Sequence, residues 1–172
     1  MKKTDMLRAF ALLDKKLKKP VTLLVGGGAA MLLGYDIPLS TNDVDGLPLD
    51  SQMTSAELDP LIKEVARELS ISPHWYNDYF NTFTYALPKD FRKRLKEVYH
   101  GKKLSVKSLG KEELLIMKCF AGRDKDIGHA RALLKRGVNK KLVEEQIESL
   151  IARNLPGASK AMQFLDDLLV EE

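Results

Sequence analysis

Met6, Phe10, Leu13 and Leu17 recur at helical spacing, so the pattern predicts an amphipathic helix from about Thr4 to Lys18, ended by Pro20. "VTLLV" (Val21 to Val25) is apolar without alternation and rich in β-branched residues, the pattern of a strand buried on both faces. Gly26 to Gly28 then predict a tight turn, Ala29 to Leu33 a short helix, and "NDVDGL" (Asn42 to Leu47) the next strand. Leu58, Leu61, Ile62, Val65, Ala66 and Leu69 keep an i, i+3, i+4, i+7 rhythm and predict a second amphipathic helix.

Between Ser70 and Lys103 the rhythm is weak. "FNTFTYAL" (Phe80 to Leu87) reads as a strand and "KRLKEVYH" (Lys93 to His100) as a strand or short helix. "KLSVKSL" sets Leu104, Val106 and Ser108 against Ser105, Lys107 and Leu109, and reads as a strand. From Lys111 onward the pattern is helical over Glu112–Gly122, Asp124–Arg136, Lys140–Asn154 and Ala158–Val170, with Gly137 and Pro156-Gly157 as punctuation. The expected layout is a small α/β part over residues 1–109, followed by a helical part over 110–172 packed on it as one structural domain.

Composition changes this picture in three ways. The chain of 172 residues, 44% of them hydrophobic, can bury a core, which excludes a disordered class. Its single cysteine, Cys119, reads as core and excludes an internal disulfide framework and a Cys-rich zinc site. No apolar stretch approaches the ~20 residues that span a bilayer, and the charged run Asp14 to Lys19 interrupts any leader-like core behind the basic start. The expectation is a cytoplasmic protein with no membrane partner. A formal net charge of +4 leans toward a polyanionic partner such as RNA or a nucleotide.

Candidate chemistry concentrates between Leu23 and Leu47, in "LLVGGGAAMLLGYDIPLSTNDVDGL". Asp43 and Asp45 stand two apart in a predicted strand, so both carboxylates should share one face. Two carboxylates, completed by phosphate oxygens and water, suit octahedral Mg²⁺ or Mn²⁺. The rival reading is a polar turn beside a strand. Gly26, Gly27 and Gly28 end a buried strand and open a helix, where unsatisfied N–H groups and the helix dipole favour a phosphate. They also fit a turn whose glycines only permit close packing. The run lacks the third glycine of a dinucleotide fingerprint, because Met31 occupies that place, and lacks the Gly-Lys-Ser/Thr of a P-loop.

A glycine pair, a short helix and then Asp-x-Asp on the next strand resembles the nucleotidyltransferase superfamily, which has the polymerase-β-like fold. The resemblance implies an α/β (α+β) fold with a small mixed sheet flanked by helices. It also implies Gly27 and Gly28 at the triphosphate, with Thr41 of the Thr-x-Asp-x-Asp run beside the nucleotide, and Asp43 and Asp45 as catalytic metal ligands. "EELLIMKCFAGRDKDIGHARALL" resembles the C-terminal signature of small abortive-infection, toxin-like nucleotidyltransferases. By position this implies Lys118 and Asp126 as catalytic residues, and Lys118 and Arg123 as nucleotide-binding ones. "PHWYND" resembles a Trp-x-Asn-Asp segment of close relatives, here Trp75, Asn77 and Asp78.

Lys118 also stands out unaided, because it lies in the apolar stripe of its helix at i+4 from Leu114 and i+3 from Leu115. It either reaches an anionic substrate or snorkels its stem across the core edge. Asp124 reads as an N-cap, Asp126 as a dipole partner or a pair for Arg123, and His129 as structural. Two features depart from the family pattern. Ile37, Pro38 and Leu39 stand before Ser40 and Thr41, where relatives carry an Arg, and no later strand offers an apolar-Asp-apolar triplet as third carboxylate, leaving Asp78 and Asp90 as candidates. The expected function is Mg²⁺-dependent transfer of a nucleotide from a nucleoside triphosphate to an acceptor hydroxyl. RNA, including tRNA, is a candidate acceptor, and an antitoxin a candidate protein partner in a toxin–antitoxin role. The alternative is a catalytically inactive, nucleotidyltransferase-like binding or antitoxin protein.

Overall fold

The computed structural model describes residues 1–50 and 53–170, which divide into two compact units. One comprises Met1–Asn81 with Leu95–Leu109; the other comprises Thr82–Arg94 with the chain from Gly110 onward.

The first unit is built on helices α1 (Lys3–Lys16), α2 (Gly27–Tyr35) and α3 (Ser55–Leu69) and strands β1 (Val21–Val25), β2 (Val44–Leu49), β3 (Tyr76–Asn77), β4 (Lys96–His100) and β5 (Leu104–Ser108). The strands form one mixed sheet in the order β3-β2-β1-β5-β4. β1 runs antiparallel to β2 and parallel to β5, while β3 joins the outer edge of β2 in parallel. β1 is the central strand, and Leu23, Leu24 and Val25 are at most 1% exposed, the burial that its unbroken apolar run predicts. β5 alternates as its sequence predicts, with Leu104, Val106 and Ser108 buried.

Helix α1 buries Met6, Ala9, Phe10 and Leu13. It stops at Lys16, two residues earlier than its apolar rhythm suggests, because Leu17 is extended and its N–H caps the helix by bonding to the Leu13 carbonyl. α3 buries Leu58, Ile62, Val65 and Ala66, and starts with Thr54 and Glu57 in a reciprocal capping box. Trp75 is fully buried, donates its indole N–H to the Ile62 carbonyl (3.0 Å), and packs at 6.2 Å centroid distance from Phe10. Burying one such aromatic side chain contributes about 2–3 kcal/mol.

The second unit contains α4 (Lys111–Ala121), α5 (Asp124–Leu134), α6 (Lys140–Ala152) and α7 (Ala158–Val170). α4 is its axis: residues from Glu112 to Cys119 are all buried, and α5, α6 and α7 pack against it. Each buried acid on α4 has a partner, although Glu113 Oε2 makes no hydrogen bond among the described residues. Glu113 pairs with Arg94, which also grips Asp90, and Glu112 accepts the Asn139 N–H at 2.9 Å. Among the described residues, no helix is long and apolar enough to cross a membrane.

One expectation needs correction, and another is resolved between its alternatives. Phe80 to Leu87 is not a strand; Tyr79–Ala86 winds as a 3₁₀ helix. The side chain of Asn77 accepts the Tyr79 N–H and the Asp78 carbonyl accepts the Asn81 N–H, so short-range bonds close the turn before the aromatic and Thr side chains can act as strand formers. The Lys93–His100 segment splits into a 3₁₀ turn at Phe91–Arg94 and strand β4.

Candidate functional site

The end of β1 leads into the glycine run, and the start of β2 lies beside it. The Gly26 N–H donates to the Asp45 carbonyl at 2.9 Å, which ties the two strand ends together. Helix α2 begins at Gly27, earlier than predicted, and Gly27 itself has φ +58°. A Cβ on Gly27 would sit 2.2 Å from Asp45 Oδ2. Only glycine meets both demands, the left-handed backbone and the close approach. A Cβ on Gly28 would lie 3.2 Å from the Thr41 Cβ, and the Thr41 hydroxyl donates to the Asp43 carbonyl at 3.0 Å.

Strand β2 starts at Val44, so Asp43 is the residue before the strand and not within it. Val44 is fully buried and the flanking Asp43 and Asp45 are half-buried, which directs both carboxylates away from the core side that Val44 faces. Asn77 on β3 is the register partner of Asp45, and its amide donates to Asp43 Oδ2 at 2.7 Å. The bond reaches across 34 positions of sequence and places the Asp43 carboxylate on the Asp45–Asn77 face. Gly27, Gly28, Thr41, Asp43 and Asp45 are therefore one continuous cluster within the first unit. Phe80 adds an apolar wall, since a Cβ on Gly26 would meet its ring at 3.2 Å.

Two carboxylates beside a backbone cradle suit a hard divalent cation that draws its remaining oxygens from phosphates and water. Among the described residues no group of three or more His, Cys, Asp or Glu is placed to hold a metal. The donor set thus fits Mg²⁺ or Mn²⁺ shared with a phosphate better than an all-protein cage. Of the two candidate third carboxylates, Asp78 is exposed just after β3, and Asp90 belongs to the second unit, where Arg94 grips it at 2.8 Å.

Within the second unit, Lys118, Arg123 and Asp126 form a cluster. The Lys118 ammonium donates to Asp126 Oδ1 at 2.8 Å, and the Arg123 guanidinium donates to Oδ2 at 2.8 Å. Asp126 is fully buried, and its carboxylate also accepts the Arg123 N–H at 3.2 Å, so it closes the N-terminus of α5. The N-cap is therefore Arg123, and Asp124, expected in that role, is the first helical residue. Burial acts to raise the Asp126 pKa, but the hydrogen bonds from Arg123 and Lys118 outweigh it and hold the carboxyl below its ordinary value. Burial, with the nearby Asp126 charge, pushes the Cys119 thiol up to about 12, so this thiol stays protonated as core. The buried Nδ1 of His129 makes no hydrogen bond among the described residues, and burial together with Lys118 lowers the His129 pKa.

The sequence alone assigns Asn77 no role and does not bring Phe80 to Gly26. The signal for Asn77 in the sequence is the resemblance of "PHWYND" to a Trp-x-Asn-Asp segment. The residues from 4 to 159 match a model of the family described as nucleotidyltransferase of unknown function (DUF6036). No curated protein and no solved structure matches the chain.

Proposed function

The chain belongs to this nucleotidyltransferase family, and on that premise we propose that it moves a nucleotide from a nucleoside triphosphate to an acceptor hydroxyl in a reaction dependent on Mg²⁺ or Mn²⁺. The observation that carries the proposal is the meeting of Asp45 with the Gly27 turn, with Asp43 on the same face.

In this reading Asp43 and Asp45 hold the cation, which supplies charge neutralisation at the reacting phosphate. Gly27 and Gly28 let Asp45 and Thr41 close up on the start of α2, where backbone N–H groups and the helix dipole favour the negative charge of a phosphate. Thr41 braces both parts by packing on Gly28 and bonding to the Asp43 carbonyl. The acceptor hydroxyl gives up its proton to solvent and its oxygen bonds to the α-phosphorus, while the bond to pyrophosphate breaks and pyrophosphate leaves. Such transfer asks the protein for positioning and charge more than for a covalent nucleophile. The proposed acceptor is an RNA 3′ hydroxyl, tRNA included, supported by the net charge of +4. A toxin–antitoxin role, with an antitoxin as protein partner, rests on the likeness of the Lys118–Asp126 segment to abortive-infection proteins.

Thermal melting with ATP, GTP, CTP and UTP, with and without Mg²⁺, tests the proposal. At least one triphosphate should raise the melting temperature in a metal-dependent way, by about 2.7 kcal/mol of stability at a hundredfold excess over Kd. Asp45→Asn should lose the metal-dependent part and keep the fold. No shift with any triphosphate at millimolar concentration overturns the reading. A second reading, a family member that binds without catalysis, is supported by the lack of a third ligand among the described residues. It predicts the same melting shift with no transfer of labelled nucleotide to RNA.

A further inference from the structure

Asn77 occupies a position that nothing in the proposed reaction uses. It sits on β3, directly across from Asp45 in the parallel register, and its side chain makes two bonds of opposite sense. Oδ1 accepts the Tyr79 N–H at 3.1 Å, and Nδ2 donates to Asp43 Oδ2 at 2.7 Å. The first bond dictates the second. A backbone N–H can only donate, so the carbonyl end of the amide must face Tyr79 and the NH₂ end must face the carboxylate. The orientation of Asn77 is therefore set by the 3₁₀ turn that follows β3, and it presents Asp43 with a donor at short range.

We propose that Asn77 is a positioning residue that orients the Asp43 carboxylate for a divalent cation, an inference that rests on the reading of Asp43 and Asp45 as the cation's ligands. One oxygen of Asp43 is committed to the amide, which fixes the carboxylate's rotation and directs its other oxygen. Ordering ligands by outer hydrogen bonds is a general feature of metal sites, and its loss typically weakens metal binding by about ten- to a hundredfold. The same position also explains why the carboxylate pair lacks a third acid: the strand neighbour of Asp45 is an amide that bonds to Asp43 and carries no charge.

Two variants separate positioning from a merely structural role. Asn77→Asp keeps an oxygen for the Tyr79 N–H and replaces the donor facing Asp43 with a second negative oxygen. Without metal it should lower the melting temperature through carboxylate repulsion, and with Mn²⁺ it should recover more stability than the wild type, because a third ligand has been added. Asn77→Ala removes both bonds and should weaken Mn²⁺ binding, read by Mn²⁺ electron paramagnetic resonance titration, by about ten- to a hundredfold. Opposite displacement of Mn²⁺ affinity in the two variants supports the inference. If both variants lose melting temperature and keep wild-type Mn²⁺ affinity, Asn77 only closes the turn and the inference falls while the proposed function stands. If the wild type itself binds no Mn²⁺, with or without a triphosphate, the cation reading falls and takes the inference with it.

Discussion

Lys118 shows how a partner resolves an apparent anomaly at the residue scale. It lies in the apolar stripe of α4 with its side chain only 8% exposed, and its ammonium is matched by Asp126, which is fully buried. Removing one member of a buried ion pair leaves the other without its counter-charge. Lys118→Met keeps the apolar stem and should still destabilise the fold, by about 2–3 kcal/mol, less than the full cost of an abandoned charge because Asp126 keeps its bonds to Arg123. Chemical denaturation of the variant checks this. A snorkelling lysine would instead give a neutral or stabilising change. Unchanged triphosphate affinity in the same variant would remove Lys118 from the nucleotide-binding set that family resemblance implies.

The connection between β4 and β5 depends on one carboxylate from another element. Asp14, near the end of α1, accepts the backbone N–H groups of Lys102 (3.1 Å), Lys103 (2.7 Å) and Leu104 (2.7 Å). Burial acts to raise its pKa, but these backbone bonds prevail and hold it below the ordinary value. The carboxylate thus braces the turn of a hairpin whose second strand pairs with the central β1. Asp14→Ala should cost about 1–3 kcal/mol, because it orphans donors, among them the N–H of buried Leu104. The loss should appear first as faster hydrogen exchange at the Lys103 and Leu104 amides. Unaltered exchange there would show that solvent serves these donors equally well.

At the scale of the whole molecule, the chain crosses between the two units more than once. Thr82–Arg94 lies before β4 and β5 in sequence but belongs to the helical unit. Its bonds there are specific: Arg94 neutralises buried Glu113, Gln146 donates to the Ala86 carbonyl at 3.0 Å, and Tyr85 meets Phe120 edge-on at 6.2 Å. A fragment of residues 110–172 therefore leaves Glu113 buried without its guanidinium, whereas a fragment of residues 82–172 retains it. Circular dichroism melts should show the longer fragment unfolding cooperatively at a higher temperature. Equal melting of the two would mean that Thr82–Arg94 contributes nothing to the helical unit. The family match from residue 4 to 159 includes parts of both units, so the inherited sequence is not the sheet alone.

What the sequence determined by itself is what short-range pattern encodes. The unbroken apolar run yields β1 at Val21–Val25, and the helical rhythm yields α7 at Ala158–Val170, both with the expected bounds. The placement of Gly27 near Asp45 is legible for the same reason: a strand, a short helix and a returning strand leave little freedom in where the chain can go. Periodicity reports how each residue is buried relative to its neighbours, and no more. It carries no information on which distant segment will supply a partner. Only the tertiary structure brought Asn77 to Asp43, because that contact depends on the two-residue strand β3 finding the outer edge of β2. Only the fold supplied Asp126 to Lys118, whereas Tyr79–Ala86 is turned away from a strand by local bonds to Asn77 and Asp78 that hydrophobic periodicity does not register. Strand order and ion pairing are decided by which long-range contacts repay the entropy of closing the intervening chain, a sum over the whole molecule that no local window contains.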